Sequence, residues 1–219
     1  MKLLSSIVIS SLALAGIANA QQEVPTAKQE RNSLGVLGKL VRTNPEGNYK
    51  FDGATTFSHN GTRGYVTHFA RLLSSKPGDV ALYEDVMMQG IKSWEDLNRS
   101  KGFVGDIAGA FAHFTVINLG IAKHTDYKDY LEPNLVSQYR KSLASRELGT
   151  MSNAKKQSIY DYLLAESVYA QTLASIGRDM DAAKAAKLLA DATTGHLTAT
   201  FGTNPSNLSI SETGLRISM

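Results

Sequence analysis

No cysteine occurs among the 219 residues. That excludes disulfides, thiolate metal sites and a cysteine nucleophile, and with them the lipid-bearing cysteine that follows a bacterial lipoprotein signal. Histidines are few, standing at positions 59, 68, 113, 124 and 196. None forms an H-x-x-x-H or E-x-x-H pattern that would set two metal ligands on one helix face. The chain also lacks a G-x-S-x-G elbow, a G-x-G-x-x-G fingerprint and a phosphate-cradling G-x-x-x-x-G-K. Ser152-Asn153-Ala154-Lys155 matches S-x-x-K as a bare tetrapeptide, without S-D-N or K-T-G downstream, and Ser152 is read as a helix cap. Neither a metal nor an organic cofactor is expected.

Basic residues are dispersed rather than run together, and aromatics do not interleave with them as they do in single-strand binders, so no nucleic-acid partner is implied. After residue 20 no apolar run approaches the roughly 20 residues of a spanning helix, so no transmembrane segment is expected there.

The opening MKLLSSIVISSLALAGIANAQQEV has what the rest lacks. One basic residue, Lys2, precedes an apolar run from Leu3 to about Ile17, and Ala18 and Ala20 flank Asn19. This is the pattern of a signal peptide with an A-x-A cleavage site, cut after Ala20. A periplasmic or secreted protein of 199 residues is expected, with its formal charge taken from +3 to +2 by the loss of Lys2. That length is enough for one domain with an ordinary core.

Residues 21–61 are rich in Gln, Asn, Gly, Thr and Ser, with turn signals at Asn44-Pro45, Glu46-Gly47, Asp52-Gly53 and Asn60-Gly61. They read as a polar, mobile N-terminal arm, tethered by Leu34, Val36, Leu37, Leu40, Tyr49, Phe51 and Phe57. From residue 62 to 219 the pattern is helical. Tyr65, Val66, Phe69, Leu72 and Leu73 make one apolar face, which the Lys76-Pro77-Gly78 break ends, with Asp79 capping the next helix. Residues 106–124 form a third helix, Pro133 sits in the first turn of a fourth that Gly149 ends, and a long fifth helix runs from about Ala154 to Ile176 and stops at Gly177. Asp179 and Asp181 open an Ala-rich sixth. The tail alternates Leu208/Ile210 and Leu215/Ile217 about a turn, as a hairpin or strap. The fold class is therefore all-α, a single-domain bundle of about six helices with a short extended or hairpin C-terminal tail.

The third helix carries a polar stripe. At 100° per residue Asp106, His113 and His124 fall within about 20° of one another, beside Gly109 and Gly120. About 16 Å of helix separates the two histidines, so they cannot share an ion. On the fifth helix Glu166 lies within the inner arc of Ile159, Tyr162, Leu163, Ala170 and Leu173, where a lone carboxylate would cost several kcal/mol, so it needs a partner. Two readings follow. In one, Glu166, His113 and Asp106 converge as a catalytic acid/base group; in the other they are buried contacts that fix helix register, with Gly109 and Gly120 admitting a neighbouring helix. Glu84-Asp85 and Glu95-Asp96 read as solvated faces. A binding role for His59 and Arg63, in the turn-rich FSHNGTRG, is a further possibility.

A signal peptide with a polar arm, the helix carrying DIAGAFAHF and an Ala-rich last helix followed by NPSNLSISETGLRI together resemble an uncharacterised family of bacterial secreted helical proteins, a domain of unknown function. The likeness runs from about Phe57 to Leu215 and implies a compact helical domain. No activity and no catalytic residue come with it. The motifs favour a non-enzyme, a binding or interaction module whose partner is an unknown protein or envelope component. The alternatives are a cofactor-free envelope hydrolase built on a Glu/His pair and a structural envelope protein without a ligand.

Overall fold

The computed structural model describes residues 28–59, 61, 63–127, 131–176 and 182–218. The expected signal peptide (1–20), the stop at Gly177 and the helix opening at Asp179 and Asp181 lie outside the described residues. Eight α-helices make up most of the described chain: α1 Lys28–Thr43, α2 Gly64–Leu73, α3 Pro77–Asn98, α4 Ile107–Ala122, α5 Leu131–Leu143, α6 Arg146–Gly149, α7 Asn153–Ile176 and α8 Ala182–Phe201. Two strands, β1 Leu208–Ser211 and β2 Gly214–Ile217, close the chain as an antiparallel hairpin in which Ile210 faces Leu215.

Of the polar stripe, Asp106 and His113 lie within the bundle, while His124 is exposed beyond the end of α4. Helix α4 packs against α5, α7 and α8, and residues on all its sides are buried, from Ile107 and Phe111 through Phe114 and Leu119. A helix apolar all round has no solvent side to offer. Its start is fixed by Asp106, whose Oδ1 accepts from the Ala108 amide at 2.9 Å, as an N-cap side chain does. Ser152 likewise caps α7, its hydroxyl accepting from Lys155 N at 3.3 Å.

Residues 28–43, expected within the polar arm, form α1, with Leu34, Leu37 and Val41 buried at i, i+3 and i+7. Gly35 and Gly38 dilute that stripe in the sequence, and Gly38 has a packing reason. A Cβ built on it would stand 1.8 Å from the Thr200 carbonyl oxygen of α8, so the two backbones touch there. The following segment is also held down. Thr55 O accepts from Ile107 N at 2.9 Å, Phe57 N donates to Gly105 O at 3.0 Å, and the Asn44 side chain donates to Ser142 O at 2.9 Å. The packed body therefore includes this part of the expected arm.

Three further expectations are corrected. Pro77 does not merely end α2: it opens α3 in the first helical turn, where its missing N–H costs nothing, and Asp79 accepts from the Ser74 hydroxyl at 3.0 Å rather than capping. The fourth helix stops at Leu143, before Gly149, which ends the short α6. Gly109 and Gly120 do not admit a neighbouring helix. A Cβ on Gly109 would meet Phe103 O at 2.8 Å, and one on Gly120 would meet Thr125 O at 2.9 Å, so both glycines make room for the turns that flank α4. The close interhelix approaches are at Gly38 and at Gly90, where a Cβ would meet the Val168 side chain of α7 at 2.5 Å.

Candidate functional site

The three residues singled out by helix geometry do not converge. No hydrogen bond or ion pair among the described residues joins any two of them, and each has a partner of its own. Asp106, besides capping α4, accepts from Arg140 Nε of α5 at 2.6 Å. Arg140 in turn donates to Gly102 O at 2.6 Å and lies over the Phe103 ring, 5.8 Å from its centre. The group staples the 99–106 turn to α5.

His113 meets Glu132, at the start of α5, with Nδ1 3.2 Å from Oε1. Its ring lies 5.4 Å from that of Trp94. Burial alone would raise the Glu132 pKa, but the hydrogen bond and charge of His113, the Lys101 charge and the Trp94 indole outweigh it and hold the carboxyl below its ordinary value.

Glu166 is buried on the inner side of α7, as its place on that helix requires, and it has the partner it needs. That partner is His196 of α8, with Nδ1 2.6 Å from Oε1, and not His113. The other carboxylate oxygen accepts from Asn118 Nδ2 of α4 at 2.8 Å. One carboxylate thus joins α4, α7 and α8. Both side chains are closed off, with 4% of Glu166 and 13% of His196 exposed. The signal for His196 was present in α8: it follows Thr193 by three positions and precedes Thr200 by four, and both are buried.

A second ionic centre escaped the sequence. Arg63, just ahead of α2, donates through Nη2 to Glu95 Oε1 of α3 at 2.7 Å and through Nη1 to Asp161 Oδ1 of α7 at 2.6 Å. Tyr160 donates to the same Glu95 oxygen at 2.9 Å. Glu95 is therefore buried and paired, while its neighbour Asp96 is 60% exposed; only the second fits the solvated face expected of the pair. Burial pushes Asp161 up to about 6, against the pull of Arg63 and with Glu95 adding to the rise. Burial and the Arg63 charge hold His59 below the ordinary imidazole value. Burial also lowers Lys156, which donates to Thr56 O at 3.2 Å. Together these contacts clamp Thr56 onto α7 and Arg63 onto α3 and α7.

A surface cleft of about 230 Å³ is lined by Ser33 of α1, Tyr65 and His68 of α2, and Lys155, Ser158, Ile159 and Tyr162 of α7. Its wall is aromatic. Tyr65 packs edge-to-face on Tyr162 at 5.3 Å and on His68 at 5.7 Å. Its described polar groups are hydroxyls, an imidazole and an ammonium, and no carboxylate is among its described lining residues. Among the described residues, no group of three or more His, Asp or Glu side chains is placed to hold a metal ion, and no helix is long and apolar enough to cross a membrane.

Over residues 6–218 the chain matches the model of a family of unknown function, DUF6683, and it belongs to that family. No curated protein and no solved structure matches it.

Proposed function

We propose that this family member works outside the cytoplasm as a binding or interaction module, with the cleft between α1, α2 and α7 as its ligand site. The support for export is the signal pattern of residues 1–20. The support for binding rather than hydrolysis is that the buried acid/base candidates are committed to internal partners, while a concavity lined by Tyr65, His68, Lys155 and Ser158 opens at the surface. A hydrolase built on Glu166 would need substrate to displace Asn118 or His196 from a carboxylate that is 4% exposed. The partner on this reading is a small molecule, or a surface group of an envelope component that enters the cleft.

A fragment screen on the full chain by protein NMR tests this reading. Saturable hits are expected to shift the resonances of Tyr65, His68, Ser158 and Tyr162, and to be lost in Tyr65→Ala. Hits that cluster instead at Glu166, His196 and Asn118, or the absence of any saturable hit, would refute it. Export is checked by mass spectrometry of the protein recovered from producing cells, with a mature N-terminus at Gln21 expected.

A further inference from the structure

We infer that Arg63 is a proton-operated tie between two walls of the cleft. With Asp161 ionised it holds the start of α2 to α7; with Asp161 protonated it stays on Glu95 of α3 alone, and the Tyr65 wall shifts against Tyr162. This rests on the binding reading above and adds a regulation of the same site.

The first ground is where the ion pair sits. Arg63 is the residue from which α2 starts, and Tyr65 and His68 just beyond it line the cleft. Asp161 directly precedes Tyr162 on α7, which lines the facing wall together with Ser158. The bond from Arg63 Nη1 to Asp161 Oδ1, at 2.6 Å, therefore joins the two walls, while Nη2 reaches Glu95 of α3 at 2.7 Å. The first turn of α2 lacks fixings of its own. Arg63 makes no side-chain cap hydrogen bond, no acidic residue stands in that turn, and a Cβ on Gly64 would have no atom within 4 Å. Further along, Phe69 packs edge-to-face on Tyr162 and Tyr169 and Thr67 donates to Glu84 at 2.7 Å. A change at Arg63 thus acts on the first turn and on Tyr65.

The second ground is the charge count. Two carboxylates share one guanidinium, with 10% of the Glu95 side chain and 2% of Asp161 exposed. When both are ionised the group carries one excess negative charge away from water, which favours uptake of a proton. Glu95 also accepts from the Tyr160 hydroxyl at 2.9 Å. Asp161 is the member that takes the proton: burial and the Glu95 charge push its carboxyl up to about 6, against the pull of Arg63 and Gln157. His59 faces Arg63 and Glu95 from the preceding loop, and burial and the Arg63 charge hold it below the ordinary imidazole value. The sign of the effect follows from Arg63. A state in which it has left Asp161 loses that downward pull, so the carboxyl binds its proton more tightly there and acid favours that state.

The test is NMR of the full chain without ligand, from about pH 4.5 to 8. The ring resonances of Tyr65 and Tyr162, whose centres are 5.3 Å apart, should move with the same midpoint as the Asp161 carboxyl carbon. The Val66 amide donates to Arg63 O at 3.0 Å. Its protection from hydrogen exchange, corrected for the intrinsic rate, should fall about fivefold or more from pH 7 to 5. In Asp161→Asn, neutral at every pH, both responses should vanish. Tyrosine rings that stay still while Asp161 titrates in the wild type would overturn the inference. So would a Tyr65 titration that persists in Asp161→Asn, because an imidazole also changes charge in this range and His68 packs 5.7 Å from Tyr65. No ligand enters these measurements, so either failure leaves the binding reading to the fragment screen. An empty screen beside coupled titrations removes the binding reading alone.

Discussion

Asp161, bonded to Arg63 just ahead of α2, and Glu132, bonded to His113 of α4, are both largely withdrawn from solvent, yet they are pushed in opposite directions. Asp161 rises to about 6, while Glu132 is held below its ordinary value. Burial acts on both in the same sense, so the difference lies in how the positive charge is shared. Arg63 divides itself between Asp161 and Glu95, and the second carboxylate repels the first. Glu132 has His113 and Lys101 drawing it down and the Trp94 indole beside it, with no rival carboxylate among these influences. A buried ion pair is thus set by its neighbours' charges as much as by its own distance.

Removing the shared cation should have the largest effect. Arg63→Met strands Glu95 and Asp161 without their counter-ion, and a loss of about 3–5 kcal/mol is expected for a broken buried pair, measured by urea unfolding at pH 7. A loss under about 1 kcal/mol would mean that the two carboxylates find water or other donors. Glu132→Gln removes a charge-assisted hydrogen bond to His113 and should cost about 2 kcal/mol in the same assay.

The smaller effects are in the pH profiles, and their signs are opposite. Asp161 has a folded-state value raised from 3.8 to about 6. Its contribution favours the folded state below about pH 4 and is lost as pH rises through 6, so wild type should lose stability relative to Asp161→Asn between pH 4 and 6. Glu132 is lowered from an ordinary 4.5. Its contribution is present above that value and lost as pH falls, so wild type should lose stability relative to Glu132→Gln on acidification below about pH 4.5. Profiles of the same sign would break the comparison.

How much of this was legible in the sequence depends on whether one helix sufficed to see it. The cap at Ser152, the inward face of Glu166 and the C-terminal hairpin follow from patterns within single elements. The pairing of Glu166 with His196 and of Arg63 with Glu95 and Asp161 depends on how helices meet, over separations of 30, 32 and 98 residues. Helix α1 shows the limit most plainly. Gly38 weakens its helical signal, and the same glycine lets its backbone reach Thr200. The feature that hid the helix from propensity is the one that seats it. Glu95 was misread for a related reason, since a Glu-Asp pair on a surface helix does not reveal that an arginine 32 residues earlier will cover one member.

The central claim is that the buried Glu166–His196 pair holds helices together while function belongs to the cleft. The most direct measurement is thermal unfolding of Glu166→Gln alongside its titration with a fragment that binds the cleft in the NMR screen. The account predicts a loss of about 2 kcal/mol, or a melting temperature lower by about 4–8 °C, with fragment affinity within twofold of wild type. An unchanged melting temperature together with lost ligand binding or activity would contradict it.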